Sequence, residues 1–294
     1  MFDIIGSISK INDLRMNMRN WYVVPLFKLG LIKSTTFVTK RGDKVRIKNK
    51  NDYYTFFSGR AWGLQKLGPV FDRVAITENT VILDRTVKFS YHKEIELGAT
   101  LLMLGEVYRE EYGSLDVKGR VVIDIGANIA DSTIYFALKG AKHVIAFEPF
   151  PATYRQAKEN IKLNKLTDRV TLLNMGVSGS KTTIRLPATF IGTSGMDSIG
   201  KSALNETTIT GIKIKVITLE MITKLIDVKE PVVKMDCEGC EYESILDATN
   251  DTLRYFTEFI LEYHKDSKSL VKKFNSAGFT TELKGKILFA KRVD

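Results

Sequence analysis

Two groups of residues in this 294-residue chain have the types and spacing to do chemistry. The first is Asp124-Ile125-Gly126-Ala127-Asn128-Ile129-Ala130-Asp131-Ser132, which follows the apolar run Arg120–Ile125, together with Glu148-Pro149, which follows His143–Phe147. Gly126 lets backbone approach a ligand closely, and the helix opening after the turn presents free N–H groups and the positive end of its dipole. Glu148 stands 22 positions after Gly126, where a carboxylate can accept both hydroxyls of a nucleoside ribose. The run lacks a G-x-G-x-x-G, whose later glycines make room for a pyrophosphate. Asn128 and Ala130 fill that space, so the pattern favours a nucleoside cofactor without a diphosphate bridge. The second group is Asp236 and Glu238, after the apolar run Val232–Asp236, with Glu262 and His264, after Phe256–Glu262. Three carboxylates and an imidazole on one rim can take a proton, orient a hydroxyl or hold a cation. Their spacing matches no dedicated metal-ligand motif, so the expectation is a site with no metal.

These residues need a scaffold that brings strand ends together. From Gly119 onward, apolar runs alternate with amphipathic helical stretches: Ser132–Lys139, Ala152–Leu163, Thr218–Ile226, Glu241–Ala248 and Ser267–Ala277. That alternation specifies a parallel sheet covered on both faces, with ligands beyond the carboxyl ends of its strands. Thr280–Leu283 and Lys286–Ala290, joined by a tight turn, add an antiparallel pair. The stretch Ser178–Gly211, rich in Gly, Ser and Thr, reads as a long loop near the site face. Residues 1–115 have a different texture, with short alternating runs and one helical stretch at Ile95–Tyr108. With a possible first helix ahead of those runs as well, they read as a small α+β extension, a possible cap over the substrate, ahead of a domain at 116–294.

The net charge of +10 is concentrated at the start: residues 1–60 hold twelve Lys/Arg against four Asp/Glu. Such a surplus can meet phosphates, an acidic sugar or a partner protein, although alternation such as Lys44-Val45-Arg46-Ile47-Lys48 is also that of an ordinary amphipathic strand. The longest apolar stretch near the N-terminus, Trp21–Ile32, is too short for a membrane span. Two cysteines argue against a disulfide framework and for a reducing, cytoplasmic setting. Cys237 and Cys240 have the C-x-x-C spacing of redox motifs but read as incidental. His143 fits a strand position and reads as packing.

The motifs together resemble a family. Val121–Asn128, Ile145-Ala146-Phe147-Glu148-Pro149 and the K-x-D-x-E-G-x-E pattern in Lys234-Met235-Asp236-Cys237-Glu238-Gly239-Cys240-Glu241 are similar to FkbM-type methyltransferases over roughly Tyr112 to Ala290. The resemblance implies a class I methyltransferase fold: Rossmann-like, α/β, with a seven-stranded mostly parallel sheet whose last hairpin is antiparallel. It implies S-adenosylmethionine as cofactor and methylation of a hydroxyl on a small molecule or sugar. Asp124, Gly126, Ala127, Asn128, Asp131 and Ser132 would then line the donor's methionine end. Glu148 and Pro149 would lie at the ribose, Gly176 and Val177 near the adenine, and Asp236 at the donor–acceptor boundary. His264, oriented by Glu262, would be the base, with Asp236 and Glu238 positioning the acceptor. The glycine common at the end of the first motif is Ala130 here. The alternative function is RNA (tRNA) methylation through the basic N-terminal region, although no Asn-Pro-Pro-aromatic motif follows the fourth strand.

Overall fold

The structure is a computed structural model that describes residues 19–38, 44–47, 74–91, 97–107, 112–179, 183–187 and 211–293. The chain divides into two compact units, Met1–Arg109 and Glu110–Asp294. In the first, helix α1 (Val23–Lys28) precedes an antiparallel pair, β1 (Thr35–Val38) and β2 (Lys44–Ile47). A three-stranded antiparallel meander follows, of β3 (Val74–Ile76), β4 (Thr80–Leu83) and β5 (Val87–Ser90), and then helix α2 (Leu97–Glu106). Strand β4 shows the half-buried alternation that its sequence encodes: Val81 and Leu83 are buried and their neighbours partly exposed.

The second unit carries the expected alternation of strand and helix. In chain order it contains β6 (Val121–Ile125), α3 (Asp131–Leu138), β7 (His143–Phe147), α4 (Pro151–Leu163) and β8 (Val170–Leu173), then three short strands, β9 (Gly176–Val177), β10 (Thr183–Pro187) and β11 (Gly211–Ile217). There follow α5 (Leu219–Leu225), β12 (Val232–Met235), α6 (Cys240–Leu246), α7 (Asn250–Arg254), β13 (Glu258–Glu262), α8 (Lys268–Ser276) and the closing strands β14 (Phe279–Lys284) and β15 (Ile287–Arg292). Seven strands form one sheet in the order β14-β15-β13-β12-β6-β7-β8, parallel except where β15 joins β13 and β14. This is the class I methyltransferase arrangement.

Every residue of β6 and β12 is buried, because helices cover both faces of the sheet centre. Beneath β13, Phe256, Phe259, Phe274 and Phe279 pack edge to face or tilted, with centroids 5.0–5.7 Å apart. Strand order reverses between β6 and β12. After β6 the chain adds β7 and β8 on one side, then returns to add β12 and β13 on the other, which opens a crevice above the carboxyl ends of β6 and β12.

The reading of Ser178–Gly211 as loop needs correction. Within and beside it lie β10 and β11, an antiparallel pair whose second member runs parallel to β9 in a separate three-stranded sheet. Thr183-Ile-Arg-Leu-Pro and Ile212-Lys-Ile-Lys-Val do alternate, but the surrounding Gly, Ser and Thr mask the short period. The intervening 188–210 lie outside the described residues, as does His92. Among the described residues no helix is long and apolar enough to cross a membrane.

Candidate active site

The turn after β6 is held by shape. Gly126 has φ +80°, and a Cβ there would lie 1.9 Å from the Asp236 carbonyl oxygen and 3.2 Å from Cys237 Cα. Only glycine fits, because the β6 turn and the end of β12 touch backbone to backbone. The amides of Gly126 and Ala127 both donate to the Phe147 carbonyl, and the Asn160 side chain donates to that of Ile129. Asn128 (φ +47°) and Ala130 (φ +67°) also take left-handed backbone, winding the chain into α3. Asparagine tolerates that conformation; alanine does so at a cost of about 1–2 kcal/mol, which accounts for the glycine usual at that position.

Below the turn lies a buried charge cluster. Lys234 on β12 donates to the Gly126 carbonyl at 2.8 Å and pairs with Asp124 Oδ1 at 3.2 Å. Asp124 Oδ2 accepts from the hydroxyls of Ser132 and Thr133. Burial works against the lysine's charge, but Asp124, Asp236 and Asp131 outweigh it and raise its pKa. Asp131 opens α3 almost fully buried. Burial pushes its carboxyl up to about 7 against the pull of Lys234, with Asp124 adding to the rise.

Glu148, at the end of β7, is buried and tied to the same turn. Its Oε2 accepts from the Asn128 amide, and its Oε1 from the Phe150 amide and the Thr153 hydroxyl, all at 2.8 Å. Burial raises its pKa to about 7, opposed by those three bonds. A carboxylate offers about four acceptor positions, so Oε2 retains capacity for a ligand hydroxyl. Beside it, Gly176 on β9 adjoins Pro149, and Val177 is buried in the main core.

The rim over β12 and β13 is charged and half-buried. Asp236 Oδ2 accepts from the Tyr112 hydroxyl at 2.9 Å. His264 Nδ1 lies 3.0 Å from Oε1 of the buried Glu241, and its Nε2 lies 3.2 Å from Oε2 of the exposed Glu238. Burial disfavours the imidazolium, yet the hydrogen bond and charge of Glu241, with the charges of Glu238 and Asp236, raise its pKa to about 9. Asp236, Glu262 and His264 each offer a ligand atom within 4.8 Å of the others, a geometry able to hold a divalent cation. Cys237 and Cys240 are joined in a disulfide. They are therefore a bonded pair and not incidental residues, and cysteine usage no longer argues for a reducing compartment.

A sequence model of the methyltransferase FkbM domain matches residues 124–280, more than half the chain and all of this site except Tyr112. The chain belongs to the FkbM methyltransferase family. Among curated proteins, 67 residues are 31% identical to "Uncharacterized protein 65" of a Sulfolobus islandicus filamentous virus, spanning 23% of this chain and 42% of that one. Another 55 residues are 36% identical to the ribosomal protein L11 methyltransferase of Carboxydothermus hydrogenoformans, spanning 19% of this chain and 18% of the relative. The chain thus matches less than half the length of either relative. Among solved structures, precorrin-6y C5,15-methyltransferase of Geobacter metallireducens aligns with 70% of this chain and 94% of its own, at 14% identity and a TM-score of 0.39.

In this FkbM member the K-x-D-x-E-G-x-E signature resolves into separate physical tasks. Lys234 neutralises Asp124 beneath the turn after β6, Asp236 touches that turn, Glu238 reaches His264, and Glu241 fixes the imidazole from below. Two expectations shift. Ser132 gives its hydroxyl to Asp124 rather than to the crevice, because the first turn of α3 sits directly over β6. The His264 ring meets Glu241 at Nδ1 and Glu238 at Nε2, because the histidine lies beyond the strand, against the first turn of α6. Sequence reasoning assigned no role to Lys234, Glu241 or Tyr112. The first two were visible as the ends of the signature; Tyr112, 124 positions from Asp236, carried no signal.

Proposed function

We propose that this protein transfers the methyl group of S-adenosylmethionine to a hydroxyl of a small molecule or sugar. The observation that carries the reading is the contact of the Gly126 turn, tied to Glu148, with Asp236 at the edge of a proton-accepting rim. Donor-binding and acceptor-binding groups thus meet at one place. Glu148 would take the ribose hydroxyls, the backbone from Gly126 to Asn128 the methionine end, and Pro149, Gly176 and Val177 the base. When bound, the cofactor supplies a methyl on a positively charged sulfur.

This chain's residues would do the rest. Asp236, held by Tyr112, orients the acceptor hydroxyl, and Glu238 closes the rim. His264 Nε2 accepts the hydroxyl proton as the carbon–oxygen bond forms, once its own proton has left. Fixing the acceptor in line is the larger contribution, up to roughly 7–11 kcal/mol, and the base adds about 10²–10⁴-fold. Acceptor choice belongs to residues 1–115 in this reading. A truncation starting at Glu110 keeps the Tyr112–Asp236 bond, whereas one starting at 116 removes it.

The test is transfer of labelled methyl from S-adenosylmethionine to fractionated metabolites, sugars and RNA. An alkali-stable methyl ether on a small acceptor is the expected product. Label on nitrogen, or on RNA in preference, overturns the hydroxyl reading. Activity that survives a chelator places the proton on His264, and activity that disappears gives the rim to a cation.

A further inference from the structure

We propose that the Cys237–Cys240 disulfide is a redox site whose reduction loosens the donor turn and withdraws Glu238 from His264. The bond spans three residues at the junction of β12 and α6, where parallel pairing on both sides of β12 already fixes the strand. A bridge closing so short a loop adds little chain-entropy stabilisation. What it does constrain is the segment between its ends. Glu238 (φ +58°) and Gly239 (φ +118°) are consecutive residues in left-handed backbone, a conformation unfavourable for a glutamate. The Gly239 amide donates to Glu241 Oε2, and the disulfide closes the loop from the other side.

Both ends of the bridge lead to working parts of the site. Cys237 Cα and the Asp236 carbonyl press on Gly126 so closely that no Cβ fits between them. Glu238, inside the loop, places Oε2 3.2 Å from His264 Nε2. Both cysteines are half-buried, so a dithiol can reach the bond. In the exchange, one thiolate of the dithiol attacks a sulfur of the bridge to form a mixed disulfide, and its second thiol then displaces the protein thiol. Two electrons and two protons pass to Cys237 and Cys240, and the dithiol leaves as its own disulfide. Freed, Glu238 relaxes toward ordinary backbone, its carboxylate leaves the imidazole, and the Asp236–Cys237 backbone no longer clamps the turn.

The inference rests on the donor-site reading given above, and two measurements separate their failures. The first is amide hydrogen exchange of the peptide covering Asp124–Ala130, in the full chain, oxidised and after treatment with dithiothreitol, with thiols counted by alkylation and mass. The expected result is at least tenfold faster exchange on reduction, reversed by reoxidation, with unchanged circular dichroism. The second is calorimetric affinity for S-adenosylhomocysteine, expected to weaken about tenfold in the reduced protein and in C237S/C240S, which should ignore dithiothreitol. Equal exchange in both states, a bond that dithiothreitol leaves intact in the folded protein, or global unfolding on reduction each overturns the proposal. Redox-dependent exchange with no cofactor-product binding in either state sinks the donor-site reading instead.

Discussion

The two sides of the site are built from different materials. The proposed donor side, from Asp124 to Ala130 with Glu148, is largely buried and held by backbone: amides to Phe147, a glycine pressed on a carbonyl, and a carboxylate with three protein donors. The rim, Asp236 to Glu241 with Glu262 and His264, is half-buried and held by side-chain charge. The contrast suits the two tasks. On the proposed reading, a cofactor would be met by a rigid cradle, whereas an acceptor whose proton must move would be met by groups that can change charge. Damage on the donor side should therefore appear in stability and affinity, and damage on the rim in turnover and its pH dependence.

The sharpest way to break that contrast is His264→Gln. It should lower turnover by about 10²–10⁴-fold at pH 9 with cofactor affinity little changed. In the unaltered protein, turnover should climb about tenfold per pH unit from pH 7 toward 9, because only the neutral imidazole accepts a proton and its pKa is raised to about 9. A flat profile would show that another group takes the proton. The raised pKa also gives His264 a share of stability that is complete below about 6.5 and is lost as pH rises through about 9. Melting temperature should therefore fall over that window, less steeply in the variant.

Next in size is Lys234→Met. It strips the counter-charge from buried Asp124 and should cost about 3–5 kcal/mol in urea unfolding. A loss under 1 kcal/mol would mean that the buried pair adds nothing net to stability. Glu148→Gln comes third. Replacing a charged acceptor of ribose hydroxyls with a neutral one should weaken cofactor binding by about 10–100-fold in calorimetry. Because its folded pKa lies above the unfolded value of 4.5, Glu148 lowers stability as pH climbs from 4.5 to about 7. The glutamine variant should flatten that fall, leaving the share of Asp131 and, above about 6.5, that of His264. Ala130→Gly is the smallest. Relief of left-handed strain is nearly offset by a lost buried methyl and a freer unfolded chain, so stability should move by no more than about 1 kcal/mol. A larger loss would mean that the methyl at Ala130 fills space the turn depends on.

How much of this was legible in the sequence depended on which physical signal each residue left. The parallel sheet was plain, because strands buried on both faces are unbroken apolar runs; His143–Phe147 was placed to the residue. The turn after β6 was legible as a tight, glycine-dependent one because a glycine followed by an acid at a fixed offset leaves few backbone alternatives. The rim was read as a set of residues but not as a wiring diagram. Which carboxylate holds His264 depends on the first turn of α6 lying under the ring, and no spacing rule conveys that. The disulfide was missed because C-x-x-C specifies proximity and not oxidation. Strand β10 was missed because its five residues sit among Gly, Ser and Thr.

Asp131 and Glu148, both with pKa near 7, have a consequence for how the protein exchanges protons with its surroundings. Near neutrality each spends a sizeable part of its time uncharged beside the crevice where a sulfonium would settle. A positive ligand favours the ionised carboxylate, so binding would expel a fraction of a proton per molecule into solution. Heats of binding measured at pH 7 should then depend on the ionisation enthalpy of the buffer, and in a His264→Gln background the slope should shrink toward pH 9, where both carboxyls are already bare. The cofactor would arrive as a cation and leave as a neutral thioether. Each catalytic cycle would therefore draw that fraction of a proton out of the buried acids and let it return.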